Sequence, residues 1–280
     1  MIAAPTIAVV RRRQRMAAIF VVSLVAGCSS DHRDGPPEAV AASSAVRAPL
    51  ADAAVIPFAA SSYVGTDVVI AGSVGGIVHL ASPIAPMAPS ATGVDSVLCG
   101  VSIPDESVRE KAGALEGVVV WLEGVHSGRA IPFDRRIELE SDHCKFIPRV
   151  QATVIGSAVN IIGHDYLRQH LRFVAAGESR VRASILLGGG EQVIPTELPF
   201  TSPGLVRIRD ADHAWVSAYV AVFDHPYFAV TSATGTFKIE GVPPGTYTLR
   251  AWHERGGTIS QKVQVAGGNA VNVELSLTGK

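Results

Sequence analysis

The sequence predicts an all-β fold, and three observations carry that prediction. From Tyr63 onward, short apolar runs are bounded by Gly, Pro and Ser, the pattern of strands separated by turns. The C-terminal stretch from Tyr227 alternates apolar and polar residues between clusters with turn chemistry. Helical periodicity is confined to Glu106–Ala114, which is short.

The N-terminus reads as an export signal. Arg11, Arg12, Arg13 and Arg15 precede the apolar run from Met16 to Gly27, which is too short to span a bilayer as a helix. The run ends in Leu24-Val25-Ala26-Gly27-Cys28, which resembles the lipobox of bacterial lipoproteins. That resemblance implies cleavage before Cys28 and lipidation of its sulfur, so the membrane is a partner through the anchor. Ser29, standing where an aspartate would imply inner-membrane retention, points to the periplasmic face of the outer membrane. An ordinary secretory signal with a chance cysteine, or a twin-arginine signal built on Arg12-Arg13, are the other readings of these residues. Removal of residues 1–27 takes away four arginines and no acid, leaving 20 basic against 25 acidic groups. A net negative chain has no basic surface for a phosphate backbone, so nucleic acid is excluded as a partner.

Residues 28–60 are rich in Ala, Ser, Pro, Asp and Arg without apolar periodicity and read as a flexible tether. Strands are expected over 67–72, 76–80, 118–123, 137–139, 146–155 and 158–162. Gly188-Gly189-Gly190, with no strand and helix framing a phosphate loop, reads as a hairpin turn. Further strands are expected over 227–231, 236–239 and 246–252. The runs 262–265 and 271–277, flanking Gly267-Gly268-Asn269, read as a hairpin with one buried face. Cys99 and Cys144 are the two thiols left for an oxidising compartment, and a disulfide between them is the default reading. It would stabilise the fold by about 4 kcal/mol. A thiolate metal ligand or nucleophile is the rival, without a motif at zinc spacing to support it.

Two resemblances sharpen the fold class. Ala229-Val230-Thr231, Gly235-Thr236-Phe237-Lys238-Ile239 and Val242-Pro243-Pro244-Gly245-Thr246-Tyr247-Thr248-Leu249 resemble the carboxypeptidase regulatory-like domain, a small transthyretin-like β-sandwich, over about 225–279. The family is structural or carbohydrate-binding, which implies no catalysis. The preceding part, about 95–224, resembles a cupredoxin-like domain that precedes such a sandwich in exported proteins described as methylamine-utilisation-like. The resemblance rests on Cys99-Gly100, Val118 to Gly124, Cys144 to Val150, Asp165 with His170, His213-Ala214-Trp215, Asp224 to Tyr227 and Trp252-His253-Glu254. The expected organisation is therefore a signal peptide at 1–27, the tether at 28–60, a cupredoxin-like sandwich at 61–224 and a regulatory-like sandwich at 225–280. Residues 61–95 suit either sandwich.

The cupredoxin-like resemblance implies a type 1 copper site, from which this sequence departs. His170 and His213 match the two histidines, but Asp210 stands at the cysteine position and Val216 at the methionine position. Without sulfur ligands a blue-copper carrier is not expected. Two imidazoles and a carboxylate, His170, Asp210 and His213, suit a non-blue Cu or Zn ion; the rival reading is a hydrogen-bonded relic of the loop. His225 and His253, beside Asp224 and Glu254, read either as interdomain hydrogen-bonding groups or as a second metal site. Trp121, Trp215 and Trp252 read either as core or as a platform for sugars. His143 and His164 read as surface residues. A Gly-x-Ser-x-Gly nucleophile elbow is absent from the sequence. The expectation is a non-enzymatic envelope lipoprotein that binds or scaffolds, its partner an envelope glycan or protein. A metal-binding periplasmic protein and a carbohydrate-binding module are the alternatives.

Overall fold

Alternating apolar positions force strands to pair into sheets and sheets to stack, and among the described residues four larger sheets do so. The computed structural model describes residues 62–197 and 200–279; the expected signal peptide, Cys28 and the tether lie outside these residues. The described residues fall within one compact unit, Pro49–Lys280. Numbering strands of three residues or more in chain order, β1 is Gly72–Ser82 and β2 is Val119–Glu123. Strands β3 to β6 are Arg136–Asp142, Lys145–Ile147, Val150–Val154 and Ala158–Gly163. Strands β7 to β11 are Gln169–Ala175, Val181–Leu187, Gln192–Pro195, Gly204–Asp210 and Ser217–Phe223. Strands β12 to β16 are Phe228–Val230, Thr236–Val242, Gly245–His253, Gly257–Val265 and Ala270–Thr278. A 3-10 turn, Gly93–Asp95, runs into the short helix α1, Ser96–Cys99.

The first sandwich faces sheet β4-β3-β6-β9 against sheet β5-β11-β10-β7-β8. Leu139, Val159, Ile161, Leu171, Phe173, Ile208 and Val220 fill the space between them. The second sandwich faces sheet β12-β2-β14-β15 against a sheet in which β1 holds antiparallel β13 on one edge and parallel β16 on the other. Val74, Val78, Val120, Leu122, Phe237, Ile239, Leu249 and Leu275 form its core. At Gly76 a Cβ would lie 1.9 Å from the Val273 carbonyl oxygen, so the β1–β16 pair closes only around glycine.

A third apolar layer joins the two sandwiches. Val119 and Trp121 of β2 and Trp252 of β14 pack on Val150, Leu205, Tyr219, Ala221 and Phe223. Strand β11 is consequently buried on both faces: Ala218, Val220 and Val222 point into the first sandwich, and Tyr219, Ala221 and Phe223 into the seam. A strand covered on both sides carries a continuous apolar run instead of an alternating one. Each large side chain so buried contributes about 1.5–3 kcal/mol.

Several expectations are corrected by this arrangement. The boundary at 224/225 does not separate the sandwiches, because β1 pairs with β13 and β16 while β2 pairs with β12 and β14. Residues 72–82 and 119–123 therefore complete the second sandwich, and the first is nested between β2 and β12. The helix expected over 106–114 is absent; Glu110–Lys111 and Ala114–Leu115 pair as a tight hairpin across Ala112 and Gly113, both with positive φ. The Gly188 to Gly190 turn does not close a hairpin, since β8 and β9 lie in opposite sheets. Likewise 267–269 carries the chain from β15 in one sheet to β16 in the other, while the true hairpin is β14–β15.

Candidate functional site

The expected metal residues sit at one end of the first sandwich, and strand alternation sends them in different directions. Asp210 is in phase with the inward residues Val206 and Ile208, so its carboxylate is buried. His170 is out of phase with the inward residues Gln169 and Leu171, so its ring lies on the opposite face of the sheet. There His170 Nε2 meets Ser184 Oγ of the neighbouring strand β8 at 2.7 Å. Only the backbone of His170 joins Asp210, its N–H donating to Asp210 Oδ1 over 3.1 Å.

The Asp210 carboxylate organises the turn that follows it. Its Oδ1 also accepts the Asp212 N–H at 3.1 Å, and its Oδ2 pairs with His213 Nδ1 at 2.6 Å. The turn closes through the Val216 N–H donating to the His213 carbonyl at 3.0 Å. His213 Nε2 faces Asp95 Oδ2 at 3.3 Å, and the ring stands 5.2 Å from that of Trp215. Both imidazole nitrogens are thus engaged by carboxylates of the fold, and Val216, fully buried, offers no donor atom. These residues do not fit a type 1 copper ion, nor do His170, Asp210 and His213 converge as a ligand set. Among the described residues, no group of three or more His, Cys, Asp or Glu side chains is placed to hold a metal.

Asp95 is the partner that sequence reading missed. Its one available signal is that it is the only charged residue between Ser82 and Pro104. The expected disulfide joins Cys99 to Cys144, with Cα atoms 5.7 Å apart. It holds the segment bearing Asp95 against the first sandwich.

The second group of candidates lies at the turn after β14. His253 Nδ1 accepts the N–H groups of Arg255 at 3.3 Å and Gly256 at 3.0 Å. Burial, and then the positive charges of Arg149 and Arg255, push His253 down to about 4, so the ring is neutral and acts as a turn cap. His225 plays a similar part, accepting the Tyr227 N–H at 3.2 Å and stacking on Phe223; burial lowers its pKa. The His225 ring also meets the backbone of Leu122, but the strongest bond across the seam is made elsewhere. That bond is made by Glu254, which receives Arg149 Nε at 2.6 Å and Nη2 at 2.8 Å in a two-pronged pair across the seam. Burial alone would lower the Arg149 pKa, but the hydrogen bonds and charge of Glu254 raise it above its ordinary value. Next along the chain, Arg255 reaches Ser107 Oγ at 3.1 Å and the Ala85 carbonyl at 3.0 Å.

The tryptophans do not form a sugar platform. Trp121 and Trp252 are buried in the seam, and Trp215 packs beneath the disulfide against Ile103, Cys144 and Leu167. His143 and His164 lie at the surface, beside Asp142 and Glu191 respectively.

Comparison with known proteins bears on the fold. Residues 205–278 match the model of the carboxypeptidase regulatory-like domain; the match begins in β10, upstream of the expected 225. No curated protein matches the chain. Among solved structures, a copper-containing nitrite reductase from Thermus scotoductus is 17% identical over 35% of this chain and 24% of its own, with a TM-score of 0.28. Amicyanin from Paracoccus versutus is 16% identical over 33% of this chain and 84% of its own, with a TM-score of 0.26. The reduced Cu(I) form of a proline-to-glycine variant of amicyanin is 23% identical over 32% of this chain and 85% of its own, with a TM-score of 0.25. The chain is thus an all-β protein with a carboxypeptidase regulatory-like region and a weak structural likeness to cupredoxins.

Proposed function

We propose that this chain is a non-enzymatic cell-envelope lipoprotein, anchored through Cys28 at the periplasmic face of the outer membrane, whose stacked sandwiches serve as a binding scaffold. The observation that carries the reading is the closure of the loop around Asp210. Its carboxylate is engaged by two backbone N–H groups and His213, and His213 in turn lies between two acids. A loop so closed acts as a structural joint, and the first sandwich becomes a spacer rigidly mounted on the second through the seam and the Arg149–Glu254 pair. The regulatory-like match over 205–278 beside the first sandwich supports the finer reading as an exported protein of the methylamine-utilisation-like type. Its partner would be an envelope glycan or protein.

The test has two arms. Labelling with a palmitate analogue should mark the chain and place it in the outer-membrane fraction, and Cys28→Ser should release it unlabelled into the periplasm. Label on the Cys28→Ser chain, or none on the parent, would refute the anchor. The mature chain incubated with Cu(II) and Zn(II) and then desalted should retain no stoichiometric metal; retention that His213→Ala abolishes would replace the scaffold reading with a metal-binding one.

A further inference from the structure

The connection between β1 and β2 crosses the end of the first sandwich where Asp210 and His213 lie. It is pinned there by the Cys99–Cys144 disulfide, by Asp95 against His213 Nε2, and by Ile103 packed on Cys144 and Leu167. At its crest, the knuckle 93–101 turns its large side chains to solvent. Val94 is 95% exposed, Val97 93%, Leu98 53% and Val101 82%. Residues 94, 97 and 98 share one side of a helical turn, and a Cβ placed on Gly93 or Gly100 would meet nothing within 4 Å. The crest therefore stands clear of the body of the protein.

Its charges are turned away from that crest. Asp95 faces His213, Asp105 is held by Ser107 and Arg255, and Glu106 pairs with Lys145. The knuckle displays neither arginine nor an aromatic ring, the residue types that anchor protein interfaces. A convex aliphatic tip suits a medium that deforms around it. Tyr166, 77% exposed, stands on the adjoining loop next to Leu167, which packs on Ile103. An amphipathic ring at that position suits headgroup depth.

We propose that the 93–101 knuckle inserts into the lipid surface to which the anchor holds the chain. The inference rests on the lipid-anchor reading above for its setting, since an anchored chain needs only weak additional affinity to lie on the bilayer. The 34 residue steps from Cys28 to Ser62 can span at most roughly 110–120 Å, enough for this end to reach the membrane. With no basic residue on the knuckle, binding should depend on neither anionic lipid nor salt.

The test separates this from the anchor itself. The mature chain carrying Cys28→Ser, and so unable to be acylated, is sedimented with phosphatidylcholine–phosphatidylethanolamine vesicles, with and without phosphatidylglycerol. It should partition equally into both, and Val94→Asp with Val97→Asp should weaken partitioning at least about tenfold. Val69→Asp, at a valine 91% exposed elsewhere, should leave partitioning unchanged. These are surface positions, and unchanged thermal unfolding would show that the variants fold. Equal partitioning of the double variant and its parent, no partitioning by the parent, or partitioning only into anionic vesicles would overturn the proposal. A concentration-dependent dimer abolished by the double variant, without vesicle binding, would overturn it in favour of a second copy. Failure of Cys28 to acylate in cells would refute the anchor while leaving the vesicle result standing.

Discussion

Replacing Glu254 by leucine leaves the Arg149 guanidinium in the seam without its carboxylate. An exposed ion pair is worth less than about 1 kcal/mol, whereas breaking a buried one costs about 3–5 kcal/mol, because the remaining charge stays desolvated. The side chains are 18% and 7% exposed, and the remaining Arg149 nitrogen, Nη1, donates to the Ser217 carbonyl at 3.2 Å. The expected loss is therefore near the lower end, about 3 kcal/mol. For a unit of this size it corresponds to a fall in Tm of about 6–12 °C. Arg149→Met should destabilise by a similar amount, while the double variant, which removes both charges, should lose only about 1–2 kcal/mol. Urea unfolding followed by tryptophan fluorescence is the assay, since Trp121 and Trp252 both lie in the seam. Single losses below about 1 kcal/mol that simply add in the double variant would refute the claim that this pair fastens the two sandwiches.

Other consequences are as open to measurement. Because the folded His253 titrates near 4 and its ordinary value is 6.5, the unfolded chain binds this proton first as pH falls. Stability is then complete above about pH 6.5 and declines toward pH 4 by up to about 3 kcal/mol. His253→Asn, which keeps an acceptor for the turn, should flatten that slope in melts between pH 7.5 and 4.5, and an unchanged slope would show that other groups cause it. Breaking the disulfide with Cys99→Ala and Cys144→Ala should cost about 4 kcal/mol, measured by denaturant midpoint. A loss below 1 kcal/mol would mean the knuckle segment is held by its other contacts. Asp210→Ala strands the N–H groups of His170 and Asp212 and should cost about 2–3 kcal/mol, with faster amide exchange at both. Exchange no faster than in the parent would show that the carboxylate does not organise this turn.

Strand character was plain at Val119–Glu123, a run that fits little else, whereas the strand Ser217–Phe223, apolar on both faces, drew no strand expectation. Sheet membership was not plain. An apolar run records that both faces are covered but not by which neighbours, so Val118 to Glu123, expected in the first sandwich, belongs to the second. The turn at Gly267-Gly268-Asn269 was equally visible, yet a turn sequence does not state whether the next strand pairs beside the last or crosses to the facing sheet. Cys99 and Cys144 could be paired because no other thiols competed once Cys28 was set aside. The loss of sulfur at Asp210 and Val216 was also readable. The direction of the His170 ring followed from its phase with Gln169 and Leu171, which became known only with the strand boundaries. Asp95 lay far from His213 in sequence and met it only through the folded connection.

The pairing of Ser73 with Ala270 and of Trp121 with Phe228 also sets an order of assembly. The nested sandwich draws its partners from one continuous stretch and can close by local contacts. Strand β1, among the first to emerge from a ribosome or translocon, must wait for the last strand before both its edges are covered. Long-range pairing of this kind folds slowly, and until it is complete β1 presents open edges to other chains. A chain interrupted anywhere within β13 to β16 would therefore display the first sandwich in native form beside an unfinished second one, a species well suited to recognition by envelope chaperones and proteases.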